Sequence, residues 1–313
     1  MRPAVLDQLW NEQSVWSQTA DRMKAGIERA RLVALLLVVV GAMAGTAAAA
    51  LSEVQPLTGK VLAGVAAVAS ATLPFLRPAW SGKRLKDWTR ARSVSEALKT
   101  DVHLWLVGAR PYSNDPHADE LRKRTDALLV DVADLVRHQG GVEAKSRELP
   151  AISNVATYFA IRVVGQIDGY YARKATFIQG RIRLFRSIEI ALSAVGAAMG
   201  VLAAVFGGSF SAWIAVVATI GTALSVHVAA TRYEFQLIEF LRTAERLRQL
   251  KSRAQDAGLS RQQLLRLVRR AEDVISVENQ GWMAKLAEEP AEQTVKQPES
   301  DAEAPVANSA DRA

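Results

Sequence analysis

Between Arg186 and Arg232 the sequence runs from Ala191 to Thr231 without a charged residue, interrupted only at Gly207, Gly208 and Ser209. A helix crossing the hydrocarbon core needs about 20 predominantly apolar residues, so the run is long enough for two crossings and a tight turn. In lipid, backbone N–H and C=O groups must find partners within the chain, which helices supply inside a single segment. The run is therefore expected to be a transmembrane hairpin, with spans over 188–206 and 211–230.

An earlier part of the chain has the same plan. Leu32 to Leu51 carries no charge and is long enough for a span over 32–51. Ser52 to Lys60 reads as a turn marked by Pro56 and Gly59. The next apolar run is shorter, and a span over 57–76 needs Leu57 to Lys60 at the interface with Lys60 snorkelling. Val40-Gly41-Ala42-Met43-Ala44-Gly45 matches Val195-Gly196-Ala197-Ala198-Met199-Gly200, and the same offset places Arg31 on Arg186 and Trp16 on Tyr171. These matches, with the shared order of basic helix, span, turn, span and basic helix, point to a duplicated two-span unit. The expected fold is an all-α integral membrane protein: four transmembrane helices as two parallel-repeat hairpins with long cytoplasmic helical extensions. Its units are 1–110, an insert over 111–150, a second unit over 151–287 and an acidic, disordered tail over 288–313.

Charge placement sets the expected topology. The net charge is +7, and the tail from Glu288 holds seven acids against Lys296 and Arg312, so +12 sits on the body against −5 on the tail. Arg22, Lys24, Arg29 and Arg31 precede the first span, Arg77, Lys83 and Arg84 follow the second, and Arg173, Lys174, Arg181, Arg183 and Arg186 precede the third. Lys60 is the only basic residue in either outer turn. The positive-inside rule then predicts a multi-pass plasma-membrane protein with both termini and the insert in the cytoplasm. The basic charge is assigned to lipid headgroups rather than nucleic acid. Cysteine is absent, which excludes disulfides, thiol nucleophiles and cysteine metal sites.

Outside the spans, Pro3 to Arg31 has Leu6, Leu9 or Trp10, Gln13 and Trp16 at helical spacing. Lys83 to Lys99 is basic and amphipathic, and is expected to continue the second span into solvent as one helix. Pro111 to Pro116 is a loop. A helix over 118–138 presents Leu121, Leu128, Leu129, Val132, Leu135 and Val136 as one face. A long helix resumes near Asn154 and runs unbroken into the third span. Arg232 to Arg253 leaves the membrane as a basic helix. Ser260 with Gln263 forms a capping-box signature that opens a last helix, running to Trp282.

Several residues are candidate sites. Gly41, Gly45, Gly196 and Gly200 are expected to allow close helix packing. Arg186, Glu189 and Arg232 lie at the membrane interface, where Glu189 either pairs with Arg186 or contacts a partner. Thr219, Thr222 and Ser225 recur at threes; they either line a water path in an oligomer or hydrogen-bond within their helix. No phosphate-binding loop, nucleophile elbow or metalloprotease motif is present, so neither an enzyme nor a cofactor is expected.

Tyr158, Arg162, Gln166 and Tyr170 repeat every four residues, Lys174 extends the stripe, and Tyr170-Tyr171-Ala172-Arg173-Lys174-Ala175 precedes the basic run into Ile188-Glu189-Ile190. This pattern, over about Asn154 to Trp282, resembles the SLATT family of two-span membrane effectors, and Leu6 to about Leu106 resembles a more divergent copy. The stripe is imperfect, because Gly169 stands where a bulky aromatic residue is expected. The resemblance implies a pore-forming effector of a bacterial anti-phage system, in the inner membrane. It also implies a homo-oligomer and a nucleotide-signalling or sensor protein as partner. The residues alone leave a scaffold holding a cytosolic partner at anionic lipid as the alternative. A transporter ranks below both, because broken and polar spans are lacking.

Overall fold

The computed structural model describes residues 3–287 apart from 116 and 207–209, with the side chains of 277–287 left aside. Among the described residues all regular structure is helical, and four helical segments are long and apolar enough to cross a membrane. The chain is a multi-pass, all-helical membrane protein. Helix α1 (Val5–Leu51) is a single rod, about 70 Å long at 1.5 Å per residue. Its first half is polar and its second half is the first span. A short turn leads into α2 (Pro56–Leu76), which has Pro56 at its first position, where the missing N–H costs nothing. At 21 residues it reaches about 31 Å, enough to cross the hydrocarbon.

Helix α2 does not continue into the following basic helix. Arg77–Trp80 tightens into a 3-10 turn, and α3 (Gly82–Val107) begins afresh behind Ser81, whose hydroxyl accepts from the Arg84 N–H. Pro78 contributes, since it has no N–H to donate, and the chain leaves helical backbone at Ser81, whose ψ is 157°. The insert forms α4 (Asp119–Asp131) and then a 3-10 turn over Ala133–His138. The tighter winding rotates the face, so Leu121, Val132 and Leu135 are buried whereas Val136 points out to solvent.

From Val155 to Phe206 the chain is one helical segment, α5. Asn154 caps it, accepting from the Thr157 N–H while the Thr157 hydroxyl accepts from the Asn154 N–H. Two π-helical segments lie within it, at Phe159–Val163 and Ile167–Ala172. The second hairpin continues with α6 (Ser211–Thr231). The chain then bends at Arg232, whose φ of 49° is left-handed, before α7 (Tyr233–Arg253). The exit helix is thus separate from the fourth span. Helix α8 (Arg261–Ala287) opens on the expected capping box: Gln263 Oε1 accepts from the Ser260 N–H at 2.7 Å, and Ser260 Oγ accepts from the Gln263 N–H at 3.3 Å. The acidic tail lies outside the described residues.

Both hairpins share one polar end. One core joins Leu6 and Leu9 of α1 to Val102 of α3, Leu121 of α4, Tyr158 and Tyr171 of α5, Leu247 of α7 and Ile275 of α8. A second joins Trp16, Ala20, Met23 and Ile27 to Trp88, Val94 and Leu98 of α3 and to Val132 and Leu135 of the insert. The repeat-related residues Trp16 and Tyr171 are both about 1 % exposed, and each lies in one of the two cores. Residues 140–150 form an extended strap on α1. Arg22 donates to the Gly140 and Gly141 carbonyls, Gln18 to Glu143, and Trp10 to Glu148. The Arg147 guanidinium lies 3.9 Å above the Trp10 ring and donates to Gln13. The insert therefore belongs to the same folded body.

The membrane halves differ in closeness. In the first hairpin a Cβ at Gly41 would lie 3.6 Å from Ala69 Cβ, and one at Gly45 would lie 3.7 Å from Ala66 Cβ. At Gly59 it would meet backbone atoms of Ser52 and Ala48 at 3.0 to 3.2 Å, so only glycine lets the two chains cross there without displacement. In the second hairpin Gly196 faces Val217 at 3.5 Å, but Gly200 has no neighbour within 4 Å. Within the protomer Gly200 therefore has open space beside it, which leaves it available to a helix of another copy. Helix α6 also packs on α1. The spans otherwise present apolar side chains outward, among them Leu36, Val68, Ile190, Val201 and Val226, as a lipid-facing surface requires.

Candidate functional site: a buried ionic junction and an open membrane cleft

The densest polar arrangement lies inside the shared core, where the two units meet. Glu272 of α8 is 1 % exposed. Its carboxylate accepts from Arg162 Nε at 2.9 Å and Arg162 Nη2 at 3.0 Å, from the Tyr158 hydroxyl at 2.9 Å, and from the Thr100 hydroxyl of α3 at 2.9 Å. The bidentate fork fits a guanidinium to both carboxylate oxygens, and the two hydroxyls occupy further lone pairs. Burial pushes the Glu272 carboxyl up, but the Arg162 guanidinium overrides it and holds the group down at about 2. Burial likewise raises the Tyr158 phenol, with the Glu272 charge adding to the effect.

His103 stands beside this pair, with its ring edge-on to Tyr158 at 6.5 Å and to Trp10 at 5.9 Å. Burial and then the Arg162 charge push its imidazole down to about 4, so it is neutral at physiological pH. Two turns earlier, Glu96 pairs with Arg92 at 2.8 Å and Lys99 at 3.6 Å. Burial lowers Lys99 to about 8 despite the nearby Glu96. The junction thus couples α3, α5 and α8, with Arg162 and Glu272 shut off from water, while Trp10 of α1 packs against His103. Removing one partner of such a pair leaves an uncompensated buried charge.

The four-residue stripe is unevenly buried. Tyr158 and Arg162 are buried, Gln166 and Tyr170 are partly exposed, and Lys174 lies in solvent. The buried positions shift by one, to Phe159, Val163, Ile167, Tyr171 and Ala175. An α-helix advances about 100° per residue, so a strict spacing of four drifts by about 40° per step. The two π segments hold extra residues per turn and absorb this drift. Gly169 carries no large side chain, but the Arg173 guanidinium folds back over it and donates to its carbonyl.

Sequence reasoning singled out Tyr158 and Arg162 but missed Glu272, Thr100 and His103. The available signal for Glu272 was its place on the apolar face of α8, next to Ala271 and four residues after Val268, both fully buried. A lone carboxylate there has to find a cation.

Within the membrane, α5 and α6 enclose an open cleft of about 420 Å³ lined by Glu189, Ser193, Gly196, Val217, Gly221 and Ser225, among others. Among the described residues Arg186 and Glu189 form no ion pair; Glu189 faces the cleft while Arg186 is exposed. Thr219 and Thr222 donate to the Ala215 and Ala218 carbonyls of their own helix, whereas Ser225 faces the cleft. Thr219 and Thr222 thus make the intrahelical bonds that are one of the two readings of this row of hydroxyls. Arg232 takes up the bend after α6 instead of extending the span. Among the described residues, no three His, Asp or Glu side chains come together to hold a metal ion.

Residues 158–282 match the family described as SMODS and SLOG-associating 2TM effector domain 1, SLATT_1. Residues 14–120 match a family described as a protein of unknown function, DUF4231. No curated protein and no solved structure matches the chain. The SLATT match opens on Tyr158, takes in Arg162 and the whole second hairpin, and includes Glu272 on the last helix. Residues 158–282, the second two-span unit, are therefore a SLATT-family membrane effector domain.

Proposed function

We propose that this protein is an oligomeric effector that permeabilises the bacterial inner membrane, acting on the bilayer rather than by catalysis. Both termini and the helical bundle face the cytoplasm, and the bundle restrains the spans until a partner acts on it. The observation that carries the reading is the cleft between α5 and α6. An unpaired carboxylate, hydroxyls and glycines facing lipid are costly in a lone protomer, and helices of further copies would cover them through small-residue packing. The closed α1–α2 hairpin offers no such surface. The family's description as SMODS- and SLOG-associating supports a SMODS- or SLOG-type protein as the partner, which fits a nucleotide-signalling or sensor role. The basic flanks support the alternative, a scaffold at anionic lipid.

Full-length protein reconstituted in dye-loaded liposomes is expected to release dye once assembled, and Glu189→Leu with Gly196→Leu should reduce release by about tenfold by closing the cleft. Protein that assembles yet leaks neither dye nor ions, with or without nucleotide, would decide for the scaffold. The orientation has its own check. A cysteine placed at Gln55, exposed in the first turn, should react with a membrane-impermeant thiol reagent added outside intact cells. Labelling only after lysis would reverse the topology.

A further inference from the structure

We propose that the seam between the two hairpins is a binding site for the phosphate of an anionic phospholipid, gripped by Arg31 and Arg181. Arg31 is the last charged residue of α1 before its span. Its Nη1 lies 3.4 Å from the Ala230 carbonyl at the end of α6, which uses one of five guanidinium donors. On α5, Arg181 lies one turn before Phe185 on the same face. The Phe185 ring stacks on Tyr233 at 5.8 Å with 19° between the planes and lies 5.7 Å from His227. Arg31 and Arg181 both act electrostatically on Tyr233 and on His227. The Arg181 guanidinium lies 5.2 Å from the Phe177 ring, so two guanidiniums from different hairpins stand within electrostatic range of one aromatic cluster on the cytoplasmic side of the spans.

Among the described residues neither arginine forms an ion pair. Glu28 acts on both Arg31 and Tyr233, but its ion pair is with Lys24 at 3.7 Å. A phosphodiester offers two charged oxygens to such a pair of forks. Leu32 on α1 and Leu184 on α5, about half exposed, lie beside the arginines where acyl chains would continue from the headgroup. Inorganic phosphate shares the headgroup's charge but lacks these chains. The site depends on the two-hairpin membrane fold and not on pore formation, so a protein that never leaks dye can still show it.

The test uses the detergent-purified full-length protein, with retained lipid counted by native mass spectrometry. Wild type is expected to retain phosphatidylglycerol over phosphatidylcholine by about tenfold, and Arg31→Gln/Arg181→Gln should cut this to about twofold or less. Arg242→Gln/Arg248→Gln, on the exposed face of α7, should leave the preference unchanged. The lysine pair Arg31→Lys/Arg181→Lys keeps the charge but loses the fork, and should lower the preference by about threefold. It serves as the readout if the glutamine pair does not fold. Equal losses in the α7 variant would show generic attraction to basic surface and overturn the site. So would an undiminished preference in the Arg31/Arg181 variants, or displacement of the lipid by millimolar inorganic phosphate.

Discussion

Replacing Arg162 with methionine should destabilise the folded protein by about 3–5 kcal/mol, because it leaves the Glu272 carboxylate buried without a cation. Tyr158→Phe removes one hydrogen bond to the same carboxylate and should cost about 1–2 kcal/mol. Arg162→Met with Glu272→Met removes both charges and should recover most of the loss. Thermal melts of detergent-solubilised protein provide the measurement. If Arg162→Met melts within about 1 kcal/mol of wild type, the junction is not a buried pair.

The pH dependence has a definite sign. In the folded state His103 is pushed down from 6.5 to about 4 and Glu272 from 4.5 to about 2. Between pH 6.5 and 4 the unfolded chain takes up a proton at His103 that the folded chain refuses, so stability falls as pH drops through that window. Between pH 4.5 and 2 the same holds for Glu272, and stability falls further. Arg162→Met should weaken the acid loss, since burial without the guanidinium raises the Glu272 carboxyl and makes its protonation favour the folded state. An acid profile parallel to that of wild type would argue against Glu272 as the group responsible.

Truncating Trp16 to alanine is the second large effect, at about 3–5 kcal/mol. Trp16 fills the core between α1, α3 and the insert, and its indole N–H donates to Glu12 at 3.0 Å. Its repeat counterpart Tyr171 fills the other core, and Tyr171→Ala should cost about as much. The paired effects test whether each unit is anchored at the equivalent helical position. A Trp16→Ala protein that loses less than about 1 kcal/mol would mean that the first unit does not depend on this anchor.

The spans, the turns and the final capping box were legible in the sequence because they are local. Transfer of Leu32 to Leu51 into hydrocarbon depends on those residues alone, and Ser260 finds Gln263 three positions away. The breaks at Pro78 and Arg232 were less legible. Pro78 carries a local signal, whereas the left-handed backbone at Arg232 gives none in a residue that is not glycine. The stripe from Tyr158 was visible as a spacing of four, but the spacing does not say which residues it buries. The π segments settle that, and they depend on what α5 packs against.

Glu272 shows the limit most clearly. Its partners Thr100, Tyr158 and Arg162 stand 172, 114 and 110 positions away, so no window of sequence contains the junction. The same holds for Arg31 and Arg181, which act on the same tyrosine and histidine only because α6 packs on α1. Which segments enter the membrane is a matter of hydrophobic transfer summed along the chain, and composition suffices for it. Which charges meet inside the bundle depends on the long-range packing of α1, α3, α5 and α8. Burial makes those few contacts strong, and only the folded arrangement selects them.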